Sequence, residues 1–297
     1  MGTRHLQAFA DIRNKTTYIV YQQMSEKARK IGAERSLALL LKVLSIRPTG
    51  GTMPYIKEIC VAGKTIEVSK YYTARWGAKG EKRKAREERS SEAQKAINQR
   101  KAEKELRRIL NTNFEDGDLL VRLDFARERT PTGSIDMQEM IAAAVRKMRS
   151  KMRKVGQELK YVYVKEIGPR GGRHIHMVMS KTDTDILRAC WPHGGIHIDP
   201  LTSNGQYAKI AAYFVKYAAR TEQTEGKLIG KRWYGSRNLE KPKVKKQVIS
   251  SGKFRKEAKE KKGYYLDKES IRSGISEQTG YEFFSYTLIK TDKEGQG

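Results

Sequence analysis

Two of the chain's five histidines, His174 and His176, stand one residue apart in GGRHIHMVMS (171–180). Side chains at i and i+2 of a strand face the same way, about 7 Å apart along the chain. Both imidazoles then share one face, and Ile175, Met177 and Met179 take the other. Such a pair can hold a divalent ion when a neighbouring strand brings a third ligand. The preceding segment, KYVYVKEI (160–167), offers one. If it pairs with 173–179 as a hairpin across GPRGG, Glu166 lies opposite His174 on the same face. Two imidazoles and one carboxylate leave positions open for substrate oxygens, as in a catalytic metal site. The spacing alone is equally met by two partly exposed strand histidines that bind nothing.

A second constellation follows in NGQYAKIAAYFVKYAAR (204–220). Projected at about 100° per residue, Ile210, Ala211, Phe214, Val215 and Ala218 fall in one arc. Lys209, Tyr213, Lys216 and Arg220 fall in the opposite one, with Tyr217 beside them nearer the apolar edge. Tyr213 and Tyr217 are i,i+4 neighbours, about 5–6 Å apart at Cβ. Two phenols flanked by three cations suit a phosphodiester lying across that face. A free phenol titrates near pH 10 (about 10) and needs a cation to favour its phenolate. An amphipathic helix whose tyrosines only cap a core would show the same periodicity.

These residues need a scaffold. DLLVRLDF (118–125) alternates as a strand, and Asp136 with Glu139 could box a helix carrying Ile141, Val145, Met148, Met152 and Val155, ended by Gly156. Strands at 160–167 and 173–179 come next. A short helix near 183–190, a short strand at 195–198 and the tyrosine helix from about 206 to 219 complete this region. Strands mixed with helices, two of them in tandem, indicate an α+β fold with an antiparallel sheet packed on helices. Upstream, 25–45 reads as a helix, 56–72 as a hairpin around Ala62–Gly63, and a helix capped by Ser91 and Gln94 runs to Leu110. The charged stretch 77–110 suits either a phosphate-tracking helix or a merely solvated one. Residues 241–297 read as a basic tail (KPKVKK, KFRKEAKEKK) with weak strand signals near 244–250 and 281–290. The expected division is 1–110, 111–240 and 241–297.

With 61 lysines and arginines against 34 acidic residues, the net charge is +27, which indicates a polyanionic partner, nucleic acid first. The basic runs lack the apolar stripe of a membrane-surface helix. Cys60 and Cys190 form neither a CxxC zinc pattern nor a disulfide framework. No apolar run reaches a membrane-spanning length and the first residues lack a signal core, so a reducing cytoplasm is expected. AGKT (62–65) looks like the end of a phosphate-binding loop, but the full pattern requires glycine where Glu58 stands.

H-x-H followed some forty residues later by Y-x-x-K-Y-x-x-R resembles the HUH endonucleases, specifically the rolling-circle replication initiators of phages and plasmids, two-tyrosine class. NFEDGDLLVRLDF (113–125) resembles their opening motif, and WPHGG (191–195) and YGSRNL (234–239) resemble secondary features. The resemblance covers about 111–240. It implies a five-stranded antiparallel sheet flanked by helices and Mg²⁺ or Mn²⁺ held by His174, His176 and Glu166. Tyr213 would attack one DNA strand, leaving a 5′-phosphotyrosine and a free 3′-OH. Tyr217 would make the second transfer, and Lys216 would contact phosphate or steady the phenolate. Lys209, Arg220, Arg173, Lys231, Arg232 and Arg237 are the expected DNA contacts. Single-stranded and origin DNA, a host helicase and a host polymerase are the implied partners, in a bacterial cytoplasm. A transposase or mobilisation nuclease of the same superfamily, and a non-enzymatic nucleic-acid binder, are the rival readings.

Overall fold

The computed structural model describes residues 53–73, 76, 92–168, 171–225, 231–249, 254–276 and 279–291. The expected helix at 25–45 and the cap at Ser91 lie outside them. Pairing begins with β1 (Tyr55–Ala62) and β2 (Thr65–Tyr72), a hairpin in register from Tyr55↔Tyr72 to Ala62↔Thr65. Gly63 makes its turn possible: φ is +53°, and a Cβ there would stand 1.8 Å from the Asn111 carbonyl oxygen. The helix α1 (Glu92–Asn113) runs three residues past the expected end, and Leu106 and Leu110 are wholly buried.

The central region follows the alternation of its sequence. It comprises β3 (Leu119–Asp124), α2 (Ser134–Lys154), β4 (Tyr161–Ile167), β5 (Arg173–Met179), α3 (Thr184–Cys190), β6 (Ile196–Pro200), α4 (Ala208–Glu225) and β7 (Tyr234–Gly235). The five strands form an antiparallel sheet in the order β6-β3-β5-β4-β7. The fold class is therefore α+β, with this sheet flanked by helices. Ile175, Met177 and Met179 face one way and pack with Ile141, Val145, Met148 and Met152 of α2. Val162, Val164 and Val178 face the other way, against Leu106 and Leu110 of α1 and Ala211, Phe214 and Val215 of α4. Coverage of both faces explains why β4 is buried almost throughout. Each fully buried side chain of this kind contributes about 1.5–3 kcal/mol.

Two details of α2 differ from expectation. The helix starts at Ser134 behind Gly133, and Asp136 reaches back to accept from the Thr132 backbone N–H at 3.0 Å and from its hydroxyl. Val155, assigned to the apolar face, follows the last helical turn and is exposed.

The larger difference concerns the C-terminal segment. The residues expected as a basic tail contribute β8 (Lys243–Val248) and β10 (Glu282–Lys290), where the weak strand signals stood, and also β9 (Tyr264–Ile275), where none did. These join the hairpin in a second antiparallel sheet, β8-β1-β2-β10-β9. The expected boundary between an N-terminal extension and a C-terminal tail is thereby crossed by hydrogen bonding. The hairpin alone leaves two unpaired edges, and β8 and β10 close both. Helix α1 joins the two sheets. Its Lys104, Arg107 and Arg108 meet Glu58 and Glu67 of the second sheet, with Arg108 Nη2 2.7 Å from Glu58 and Nε 2.8 Å from Glu67.

Candidate active site on the histidine face of the central sheet

The expected hairpin register holds, with Glu166 paired to His174 and Val164 to His176. The two imidazoles lie on the α4 side of the sheet, the side of Val178 and Val164. His176 is buried, and its Nε2 stands 2.8 Å from Glu166 Oε2. Because an ionised carboxylate only accepts, the imidazole nitrogen carries the proton. Glu166 Oε1 accepts from Arg220 Nη1 at 2.7 Å. Burial alone would raise the Glu166 carboxyl. The hydrogen bonds from His176 and Arg220 outweigh it and hold the group below its ordinary value.

Helix α4 delivers both phenols to the same place. Tyr217 is buried and stacks on His176, with ring centroids 3.9 Å apart and planes 10° from parallel. Tyr213 is 52% exposed, meets His176 edge-on at 6.3 Å and Tyr217 at 4.3 Å. The wheel projection placed Tyr217 nearer the apolar edge, and burial agrees. Burial, the hydrogen bond with Tyr213 and the nearby charge of Glu166 push the Tyr217 phenol well above the usual tyrosine range. Arg220 also lies over the Tyr217 ring at 5.6 Å. A cleft of about 600 Å³ opens here, lined by Arg122, Glu166, His174, His176, Tyr217 and Arg220 among others.

His174 is held differently, by a residue not singled out from the sequence. Its Nδ1 lies 2.7 Å from Asp124 Oδ1, on the adjoining strand β3. The other carboxylate oxygen stands 3.0 Å from Nε2 of His197, on the edge strand β6. Arg122 donates to the same carboxylate at 3.0 and 3.2 Å. Burial works against ionisation of Asp124, and the hydrogen bonds from Arg122 and His174 overcome it, lowering the pKa. The WPHGG segment fixes this aspartate by its backbone. Trp191 Nε1 donates to the Asp124 carbonyl at 2.9 Å, and Asp124 N–H donates to the Gly195 carbonyl at 2.9 Å. A Cβ on Gly194 would approach the Asp124 carbonyl oxygen to 2.4 Å, so only glycine fits there. His193 packs on Trp191, centroids 4.9 Å apart, and its pKa is lowered by burial and by Arg129 and Lys147.

The structure thus brings together His174, His176, Glu166, Tyr213, Tyr217 and Arg220. Arg220, expected to contact DNA, is engaged with Glu166. Arg173 spends its guanidinium on the carbonyls of Gly171 and Thr132, at 3.1 and 2.9 Å. Lys209 and Lys216 are exposed on α4. Lys231, Arg232 and Arg237 do not line this cleft, and Arg237 lines another on the α2 side of the sheet.

Among the described residues no three His, Cys, Asp or Glu side chains stand in a ready metal-ligating cluster. The donor set nevertheless suits a divalent ion. Asp124 orients His174 through Nδ1, as carboxylates orient metal-binding histidines, and leaves Nε2 for a ligand. His176 and Glu166 stand 2.8 Å apart, so with His174 they would hold such an ion once the imidazole nitrogen has lost its proton.

The model of the replication-associated protein ORF2/G2P family matches residues 120–222. That span contains Arg122, Asp124, Glu166, both cleft histidines, His197 and both tyrosines. No curated protein and no solved structure matches the chain. Among the described residues no helix is long and apolar enough to cross a membrane.

Proposed function

We propose that this protein is a replication initiator of the rolling-circle kind, which cuts and rejoins one DNA strand through a covalent tyrosine intermediate. The observation that carries the reading is the convergence of both phenols on His176, which is in ring contact with each and lines one cleft with His174 and Tyr217. The replication-associated family match over the same residues supports it.

Tyr213 is the first nucleophile, because its phenol is half-exposed where Tyr217 is covered. Its oxygen forms a bond to phosphorus while the bond to the 3′ oxygen breaks. The phenol proton passes to solvent, and the departing 3′ oxygen takes one up as a free 3′-OH. The 5′ phosphate remains on Tyr213. Tyr217 serves the second transfer: its oxygen, giving its proton to solvent, displaces a 3′ oxygen at the next junction, and the freed 3′-OH attacks the phosphorus on Tyr213, closing the strand and returning that tyrosine as a phenol. Lys216 and Lys209 on the exposed face of α4 draw the DNA backbone towards the phenols. His174, His176 and Glu166 would hold Mg²⁺ or Mn²⁺, which supplies neutralisation of charge on the phosphate oxygens.

The test uses single-stranded oligonucleotides tiling the replicon that encodes the protein, with Mn²⁺, and scores covalent adduct on denaturing gels. Wild-type protein should form an adduct, and the double variant Tyr213→Phe, Tyr217→Phe should form none. Undiminished adduct in the double variant overturns the assignment. A gel shift with no cleavage under any metal condition would point to a binding protein instead.

A further inference from the structure

A second cleft is larger than the tyrosine cleft. It lies on the opposite face of the central sheet, between α2 and the β4–β7 edge, with a volume of about 850 Å³. Four arginines line it: Arg146, Arg149 and Arg153 from α2, and Arg237 from the segment after β7. The first three fall at i, i+3 and i+7, one stripe along the helix. None of the four makes an ion pair with another described residue, and Glu158 is the one acidic side chain on the wall.

The lysines of the same helix are sorted away from it. Lys147, Lys151 and Lys154 alternate with the arginines in VRKMRSKMRK, yet none lines the cleft. Lys147 and Lys151 lie instead near Cys190 of α3. A merely solubilising surface has no use for such sorting. Arginine's planar fork suits bidentate phosphate binding in a way that lysine's point charge does not. Tyr161 also lines the cleft and heads a row of rings, 5.9 Å from Tyr163, which stacks on Tyr234 at 5.1 Å. Guanidinium groups along a groove with an aromatic ring in its wall match the chemistry of single-strand binding, where phosphates are paired and bases stack.

We propose that this cleft is a second track for single-stranded DNA, separate from the tyrosine cleft, gripping phosphates through Arg146, Arg149, Arg153 and Arg237. The choice of DNA rests on the function proposed above; the cationic cleft itself does not. Two binding tracks on opposite faces of one sheet let the protein hold a strand while its tyrosines work on another segment.

The experiment measures binding of the full chain to a labelled oligothymidine by fluorescence anisotropy across a salt series. Replacing Arg146, Arg149 and Arg153 together with alanine should weaken binding about tenfold and reduce the salt slope by about 2. The triple Arg→Lys variant should keep the slope and lose part of the affinity. Arg237→Ala, on the other wall and off the helix, gives a smaller change in the same direction and covers the case in which the triple variant does not fold. Unchanged affinity and slope in the folded triple alanine variant and in Arg237→Ala overturn the proposal. Loss confined to duplex DNA overturns the single-strand assignment. Adduct formation is scored separately, so a wild-type protein that binds oligothymidine but never cleaves would remove the nickase reading and leave this one standing.

Discussion

At the scale of single residues, Asp124 organises the His174 side of the cleft. It holds His174 by one oxygen and His197 by the other, while its backbone is pinned by Trp191 and the Gly194–Gly195 turn. Asp124→Asn removes the charge and one acceptor but leaves the backbone contacts intact. Adduct formation should fall about 10–100-fold, and the Mn²⁺ concentration for half-maximal adduct should rise. Equal Mn²⁺ dependence in mutant and wild type would mean that Asp124 does not position His174. The histidine pair, Glu166 and the tyrosines were legible because each depends only on local periodicity or on a hairpin between consecutive strands. Asp124 was not, because its role appears only when β3 is seated between β5 and β6 and brings it to His174 and His197. Nothing local specifies that order. An aspartate closing an alternating strand beside Arg122 was the one visible hint.

At the scale of elements, the decisive piece is α1, which turns an apolar edge to the central sheet and a cationic edge to the second. Glu58 receives Lys104, Arg108 and Lys246 within 3.3 Å. Burial would raise its pKa, but these cations dominate and lower it from 4.5 to about 2. The folded value lies below the unfolded one, so this stabilisation is complete above about pH 4.5 and is lost as pH falls towards 2. Thermal melts between those limits should show a falling midpoint in wild type and a shallower fall in Glu58→Gln. At neutral pH the same substitution should cost about 1–3 kcal/mol, because it takes an anionic partner from the largely covered Arg108. Parallel acid profiles for the two proteins would show that the Glu58 ion pairs do not hold α1. The near-match to a phosphate-binding loop resolves here too. Glu58, which broke the pattern, is a buried ion-pair partner on a strand. The central elements could be read from the chain within two or three residues at most ends, since apolar spacing sets them. β9 could not be, because its YYLDKESIRSGI lacks an apolar alternation and becomes a strand only by pairing with β10.

At the scale of the whole molecule, the question is how a net charge of +27 is distributed between contacts and architecture. Removing residues 241–297 would be the obvious way to ask whether the basic C-terminal segment touches DNA. The sheet order makes that experiment uninformative on binding. Deletion takes away β8, β9 and β10 and leaves β1 and β2 a hairpin held by α1 alone with both edges bare, an arrangement prone to association. Hydrogen exchange should show β1 and β2 amides losing protection after truncation while β4 and β5 keep theirs. The charge question is better put by substitution in place. Lys243 and Lys245 of β8 are exposed, opposite Val61 and Ile59, whereas Lys246 is paired with Glu58 and must be spared. Lys243→Gln with Lys245→Gln preserves the strand and removes two exposed cations. If β8 contacts backbone phosphates, the slope of log affinity against log salt should drop by about 1.4 for single-stranded DNA, about 0.7 for each contact. An unchanged slope in a protein with unchanged melting would assign Lys243 and Lys245 to solubility, and leave the arginine cleft and the α4 face as the surfaces to test next among the described residues.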